Sequence, residues 1–216
     1  MSEIEKKRKR KNIIFDIGNV LLTWNPENII NQAFKNTEYS GKFTPSMFRL
    51  ADWLAFDQGL ISEKEVAQKM QAQWGISLEL AQHALYTAKE SLTPKKDSIE
   101  LLKELDQRKK LGEKLGEKLE LYCLTNMSEE FFNYLFQKYD FFNLFAHITV
   151  SGKIKLLKPD PKIYHYLLDH NQILAHESIL IDDMKENIES AIRTGLHGIE
   201  FSEINDCRRQ LYQFLD

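Results

Sequence analysis

Asn12-Ile13-Ile14-Phe15-Asp16-Ile17-Gly18-Asn19-Val20-Leu21-Leu22 decides the fold of this chain. A short run of apolar, partly β-branched residues that stops at a Gly-Asn turn reads as a parallel strand buried on both faces. Asp16 interrupts the run just before the turn. Its carboxylate is therefore expected at the carboxyl edge of the sheet, where open α/β folds bind their ligands. An ionised carboxylate is costly to bury there unless a cation or several hydrogen-bond donors meet it. The rest of the chain is read for groups that can meet Asp16.

Three later stretches supply them in order. Residues 119–124 are strand-like and end in Thr125-Asn126, and residues 147–150 form a short strand followed by Lys158-Pro159-Asp160-Pro161. Residues 178–181 are a third apolar strand ending in Asp182-Asp183, with Asn187 four residues beyond Asp183. Residues 197–201 form the last strand. Helical patterns separate them. Ser128 caps a helix through Phe131, Phe132 and Leu135, and Asp160 caps a helix from Pro161 to about His170. A third helix follows the acidic pair and ends at Gly195. Thr125 and Asn126 then lie in a strand-to-helix turn, where backbone N–H groups receive a phosphate. Strands alternating with helices predict an α/β fold, a Rossmann-like parallel sheet with helices on both faces.

No strand pattern appears between Trp24 and Ser91. Helices are predicted over residues 26–35, 45–56, 62–74 and 78–91, with Ser62 and Glu65 as a capping box. Trp53, Leu54, Phe56, Val66, Met70 and Trp74 recur at helical spacing and are expected to pack together, with Trp53, Phe56 or Asp57 facing a ligand as the alternative. Residues 94–110 read as an amphipathic helix with Ile99, Leu102 and Leu105 on one face. The duplicated Leu-Gly-Glu-Lys over residues 111–118 carries two glycines and predicts an extended, exposed connection.

The 216 residues suffice for one α/β domain with a small accessory domain, and a net charge of −3 excludes a general polyanion binder. Two cysteines, Cys123 and Cys207, form neither a disulfide framework nor a zinc spacing, and the six histidines show no zinc spacing either. No apolar run reaches the roughly 18 residues of a membrane span, and Met1-Ser2-Glu3-Ile4 lacks an apolar signal region. A cytoplasmic protein without a membrane partner is expected. Residues 5–11 are almost all basic, but no aromatic residue interleaves, so the run reads as a solvated tail and nucleic acid is not an expected partner. Nothing in the pattern sets an oligomeric state.

Asp16, Thr125, Lys158 and the pair Asp182-Asp183, each just after a strand and in this order, resemble the haloacid dehalogenase superfamily over residues 12–201. The resemblance implies a Mg2+-dependent phosphatase in which Asp16 attacks phosphorus and water later hydrolyses the aspartyl-phosphate. It makes Asp16, Thr125 and Lys158 catalytic, with Thr125, Asn126 and Lys158 holding the phosphoryl group. It also makes Asp16, Asp183 and the Gly18 carbonyl the metal ligands, with Asp182 and Asn187 behind them. Asp183 is chosen over Asp182 because its spacing to Asn187 matches the superfamily's Asp-x-x-x-Asp, with Asn in second place. The helical insertion then corresponds to a cap, residues 24–91, on a core domain of residues 12–23 and 92–216, after a tail of residues 1–11.

Gly18 departs from the pattern. Most phosphatases of the superfamily carry a second Asp there, which protonates the leaving group, a contribution of about 10²–10⁴-fold. Phe-Asp-x-Gly-Asn-Val resembles a branch with sugar-1-phosphate phosphatases and the phosphatase-like domain of epoxide hydrolases. A small phosphorylated metabolite is the expected substrate, a sugar 1-phosphate among the candidates because its anomeric oxygen leaves readily. Two alternatives stand beside this reading. One is a haloacid dehalogenase using the same Asp without metal; the other is a catalytically silent interaction module.

Overall fold

The computed structural model describes residues 10–115 and 118–216, and every strand predicted there forms. The strands are β1 (Arg10–Phe15), β2 (Lys118–Thr125), β3 (His147–Val150), β4 (Ser178–Asp182) and β5 (His197–Glu200). They make one sheet in the order β3-β2-β1-β4-β5, and every neighbouring pair is parallel. The chain leaves central β1 toward β2 and β3, then crosses to the other side for β4 and β5. The carboxyl ends of β1 and β4 therefore flank a topological switch point, the usual ligand crevice of open α/β sheets.

Alternation along each strand divides the core. Ile13, Phe15, Leu121, Cys123, Ile179 and Ile181 pack in a large cluster on one face, and Ile14, Tyr122, Leu124 and Leu180 in a second cluster on the other. Helices cover both faces: α5 (Lys96–Leu115) and α10 (Ile204–Leu215) pack in the first cluster, α8 (Pro161–Asn171) and α9 (Lys185–Arg193) in the second. A one-residue slip of any strand would exchange its two faces, so burial on both sides pins the register. That register sets Phe15 level with Cys123 and with Ile181.

The stretch between β1 and α5 holds α1 (Pro26–Ala33), α2 (Ala51–Asp57), α3 (Glu63–Trp74) and α4 (Leu78–Ser91). Its entry and exit run side by side, with Thr23 N–H donating to Thr93 O at 2.8 Å and Lys95 N–H to Leu21 O at 2.9 Å. The remaining helices are α6 (Glu129–Lys138) and the short α7 (Ser151–Ile154). The expected caps are present: the Ser62–Glu65 capping box, Ser128 accepting from Phe131 N–H, and Asp160 accepting from Lys162 N–H. Gly195 has φ +92°, the left-handed conformation for which glycine is favoured.

Four expectations need correction. Residues 45–56 are not one helix: a 3₁₀ turn, Pro45–Arg49, is separated from α2 by extended Leu50. The break brings Phe48 and Trp53 edge-to-face at 4.6 Å, whereas five residues apart on one helix they would point in different directions. The first copy of the duplicated Leu-Gly-Glu-Lys is helical, not extended, because α5 runs to Leu115. Just before Gly112, Lys110 pairs with Asp106 within the helix and Lys109 ties it to Glu120 of β2 at 2.9 Å. Of the second copy, residues 116 and 117 lie outside the described residues and Lys118 opens β2. Leu54 is 44% exposed, while Trp53, Phe56, Val66 and Met70 are buried as expected and Trp74 packs partly buried against Phe43. Finally, Arg10 and Lys11 of the basic run are part of β1, and the Lys11 ammonium lies 4.0 Å over the Phe214 ring; residues 5–9 lie outside the described residues. Among the described residues no helix is long and apolar enough to cross a membrane.

Candidate active site

Asp16 follows the last residue of β1 and still pairs with the neighbouring strand, its N–H donating to Ile181 O at 2.9 Å. The turn beyond it is closed by Leu21 and Leu22 N–H groups, both donating to Ile17 O. The group that meets the Asp16 carboxylate is Lys158. Its ammonium has three N–H donors and finds three acceptors: Asp16 Oδ1 at 2.9 Å, Asp182 Oδ2 at 2.6 Å and Leu124 O at 3.0 Å. Asn126 fixes the lysine backbone from both sides, Nδ2 donating to Lys158 O at 2.9 Å and Oδ1 accepting from Lys158 N–H at 2.8 Å.

The acidic pair divides its tasks. Asp182 is fully buried at the end of β4, and its Oδ1 accepts from Met184 N–H at 2.9 Å and Asn187 Nδ2 at 2.8 Å. With Lys158 on its other oxygen, its carboxylate is engaged from both sides. Asn187 thus donates to Asp182, although its spacing had linked it to Asp183. Asp183 is half-buried, and one oxygen accepts from Asn19 Nδ2 at 3.0 Å. Asn19 has φ +53° and accepts from Trp24 N–H at 3.1 Å, so the turn after Asp16 is what aims its amide at Asp183. One oxygen each of Asp16, Asp182 and Asp183 lie within 4.8 Å of one another.

The Asp16 carboxyl is raised to about 7: burial pushes it up most, Lys158 pulls it down, and Asp182 and Asp183 push it up again. Burial works against the Lys158 ammonium, but Asp16 and Asp182 outweigh it and hold the group charged, well above the usual lysine range. Burial also raises Asp183, against the hydrogen bond from Asn19. Lys158 contacts two of the three carboxylates, Asp16 and Asp182, while Asp183 has the Asn19 amide instead, and that shortage of positive charge defines the electrostatics of the site.

A cavity of about 530 Å³ opens over this edge. Asp16, Gly18, Thr125, Asn126, Lys158, Asp183 and Asn187 line its floor, so every residue singled out in the sequence except Asp182 reaches it. Asp182 stands behind Lys158. The wall is largely apolar, made by Trp24, Phe48, Trp53, Leu92, Met127 and Phe131. Trp53 stacks edge-on to Phe131 of α6 at 6.1 Å, so the wall joins the helical insertion to the sheet-bearing part. Trp53 is therefore both core and cavity wall, two roles the sequence reading treats as alternatives.

Asp57, the last residue of α2, lines the same cavity. Its backbone is tied down: Ser151 Oγ donates to Asp57 O at 2.6 Å, and Gly59 lies so close to Gly152 that a Cβ at 59 would stand 2.1 Å from the Gly152 oxygen. Burial pushes the Asp57 carboxyl up to about 8, against hydrogen bonds from the Trp53 side chain and the Ser128 backbone N–H. Sequence reasoning missed Asn19 and Ser151 as positioning groups. Asn in a tight turn is a signal for positive φ, whereas Ser151 has no local signal.

The sequence pattern of the haloacid dehalogenase-like hydrolases matches residues 13–200. The chain belongs to this family. This haloacid dehalogenase-like hydrolase is 26% identical to a sesquiterpene phosphatase of Aspergillus oryzae over 89% of its own length and 90% of that protein. It is also 26% identical to a drimenol cyclase of Aspergillus calidoustus over 92% of its length, but spans only 35% of that longer protein. Its fold is similar to that of a HAD family enzyme of Bacteroides thetaiotaomicron, solved as a complex with magnesium and inorganic phosphate. The two share a TM-score of 0.68 and 21% identity, covering 89% of this chain and 94% of the other.

Proposed function

We propose that this hydrolase is a Mg2+-dependent phosphatase that carries the phosphoryl group on Asp16 and acts on small monoesters with an apolar or aromatic body. The observation that carries this reading is the meeting of Asp16, Lys158 and Asp183 on the floor of one cavity. The donor set fits a divalent cation. Three carboxyl groups stand around one contacting ammonium, and Asp16 and Asp183 face the cavity while both Asp182 oxygens are occupied. The hard oxygens of Asp16, Asp183 and the Gly18 carbonyl suit Mg2+, which when bound supplies the positive charge that lets one anion approach another.

The chain's own groups do the rest. Lys158 holds the Asp16 carboxylate in place and adds charge beside the transferring group. The Thr125 hydroxyl and the Asn126 backbone N–H are the donors to the phosphoryl oxygens. Residues 24–91 act as a cap on the core domain of residues 12–23 and 92–216, and the cap brings Phe48 and Trp53 to the wall.

An apolar wall favours an apolar body over a sugar, whose hydroxyls need polar partners when buried. The likeness to a sesquiterpene phosphatase supports the same choice. A sugar 1-phosphate, suggested by the Gly18-Asn19 turn, is the second reading. Phosphate release from geranyl phosphate, benzyl phosphate, glucose 1-phosphate and glucose 6-phosphate, with and without Mg2+, separates them. The two apolar esters are expected to have the higher kcat/KM. Faster turnover of glucose 1-phosphate would overturn the substrate assignment, and halide release from a 2-haloacid without metal would replace phosphatase by dehalogenase.

A further inference from the structure

A phosphate ester whose alcohol is a weak acid leaves slowly unless its oxygen is protonated as the bond breaks. Among the described residues the cavity is lined by five titratable groups: Asp16, Arg49, Asp57, Lys158 and Asp183. Arg49 does not give up a proton in a protein. Lys158 has all three of its N–H groups engaged and is held charged by two carboxylates. Asp16 is the nucleophile, and Asp183 faces the cation. Asp57 is left over, and its backbone is anchored to the core through the Ser151 hydrogen bond and the Gly59–Gly152 contact.

We propose that Asp57 is the general acid–base of this site, a role that rests on the phosphatase reading above. In the first step an Asp16 oxygen bonds to phosphorus, and the ester P–O bond breaks with its electron pair on the departing oxygen. That oxygen takes the Asp57 proton and leaves as a neutral alcohol. In the second step the Asp57 carboxylate takes a proton from water as the water oxygen bonds to phosphorus. The bond from phosphorus to Asp16 breaks, inorganic phosphate leaves, and Asp57 is protonated again.

The environment suits the task. A carboxyl raised to about 8 still carries its proton at neutral pH, yet is acidic enough to give it up. The charged groups on its own helix and the elements packed against it are Asp52 of α2, Glu63, Lys64, Glu65 and Lys69 of α3, Glu129 and Glu130 at the start of α6, and Lys153 and Lys155 around α7. Across the cavity stand Asp16, Arg49, Lys158 and Asp183. The upward shift nevertheless comes from burial, which outweighs the two hydrogen bonds that pull the other way, and not from these charges.

The test is the first turnover of the Mg2+-loaded full chain, wild type against Asp57→Asn, on two esters with the same ring. Benzyl phosphate must expel an alcohol, whereas 4-nitrophenyl phosphate expels a stable phenolate and needs no acid. Asp57→Asn should slow release of benzyl alcohol by about 10²–10⁴-fold and leave the burst of nitrophenolate within a few-fold of wild type. That retained burst also shows the variant to be folded. In the wild type the benzyl phosphate step should fall as pH rises through about 8, where Asp57 loses its proton, and this limb should vanish in the variant. Equal losses on the two esters, no loss on benzyl phosphate, or an unchanged alkaline limb would overturn the assignment. A wild type that releases neither product would instead bring down the phosphatase reading, and the role of Asp57 with it.

Discussion

Lys158→Met isolates the central electrostatic element of the site without touching a cavity-facing carboxylate. The Lys158 side chain is 1% exposed and bridges two carboxylates while donating to the Leu124 carbonyl. Removing one partner of a buried ion pair costs about 3–5 kcal/mol, because the other charge stays buried without compensation. Methionine fills the stem's volume, so the loss is electrostatic rather than a cavity effect. For a chain of this size about 1 kcal/mol moves Tm by about 2–4 °C, which puts the expected fall at about 6–20 °C. Urea and thermal unfolding followed by circular dichroism, in the presence of a chelator, read this directly. Adding Asp182→Asn should recover about 1 kcal/mol or more, because the amide oxygen still accepts from Met184 and Asn187 while the stranded charge is gone. A Lys158→Met protein as stable as the wild type, or a double variant showing the plain sum of two losses, would refute the bridge as the organiser of the site.

Asp183→Asn should weaken Mg2+ binding more than Asp182→Asn does, since Asp183 faces the cavity and Asp182 is engaged behind Lys158; calorimetric metal titration compares them, and the reverse order would exchange their roles. Gly18→Asp should fold with Tm within a few degrees of wild type, because φ there is not positive and a Cβ would stand 4.0 Å from the nearest atom, Trp24 Cβ; a collapse of Tm would contradict that reading of the turn. Asp57→Asn tests the proton on Asp57 through stability. A carboxyl raised from 3.8 to about 8 adds stability at low pH that drains away as pH rises through that window. The advantage of wild type over the variant should therefore shrink by at most about 1.4 kcal/mol per pH unit, and a difference constant from pH 5 to pH 9 in urea unfolding would argue against it.

Much of this architecture is legible in the chain because it is set by local pattern. Residues 12–15 and 178–181 read as buried strands from their apolar runs, and Ser62, Ser128 and Asp160 mark helix starts by side chains that cap their own neighbours. The features that escape depend on segments far apart in sequence. The break at Leu50 lets Phe48 and Trp53 pack together, and the end of α5 is tied by Lys109 to Glu120, a residue of the next strand. The helix α10 carries no motif, so its place depends on packing against the sheet rather than on a local signal. The site divides in the same way. The strand ends carrying Asp16, Thr125 and the acidic pair could be anticipated, but Asn19 on Asp183 and Ser151 on the Asp57 carbonyl arise only when the turn after β1 meets β4 and the end of α2 meets α7.

The claim on which the account turns is that Asp16 carries the phosphoryl group with the help of Mg2+. Phosphate release from benzyl phosphate and 4-nitrophenyl phosphate, by wild type and Asp16→Asn, with Mg2+ and with chelator, tests it most directly. The account predicts turnover only for the wild type with Mg2+, and no release by Asp16→Asn under any condition although its fold persists. Release by Asp16→Asn at a rate near wild type, or a wild-type rate indifferent to the chelator, would contradict it.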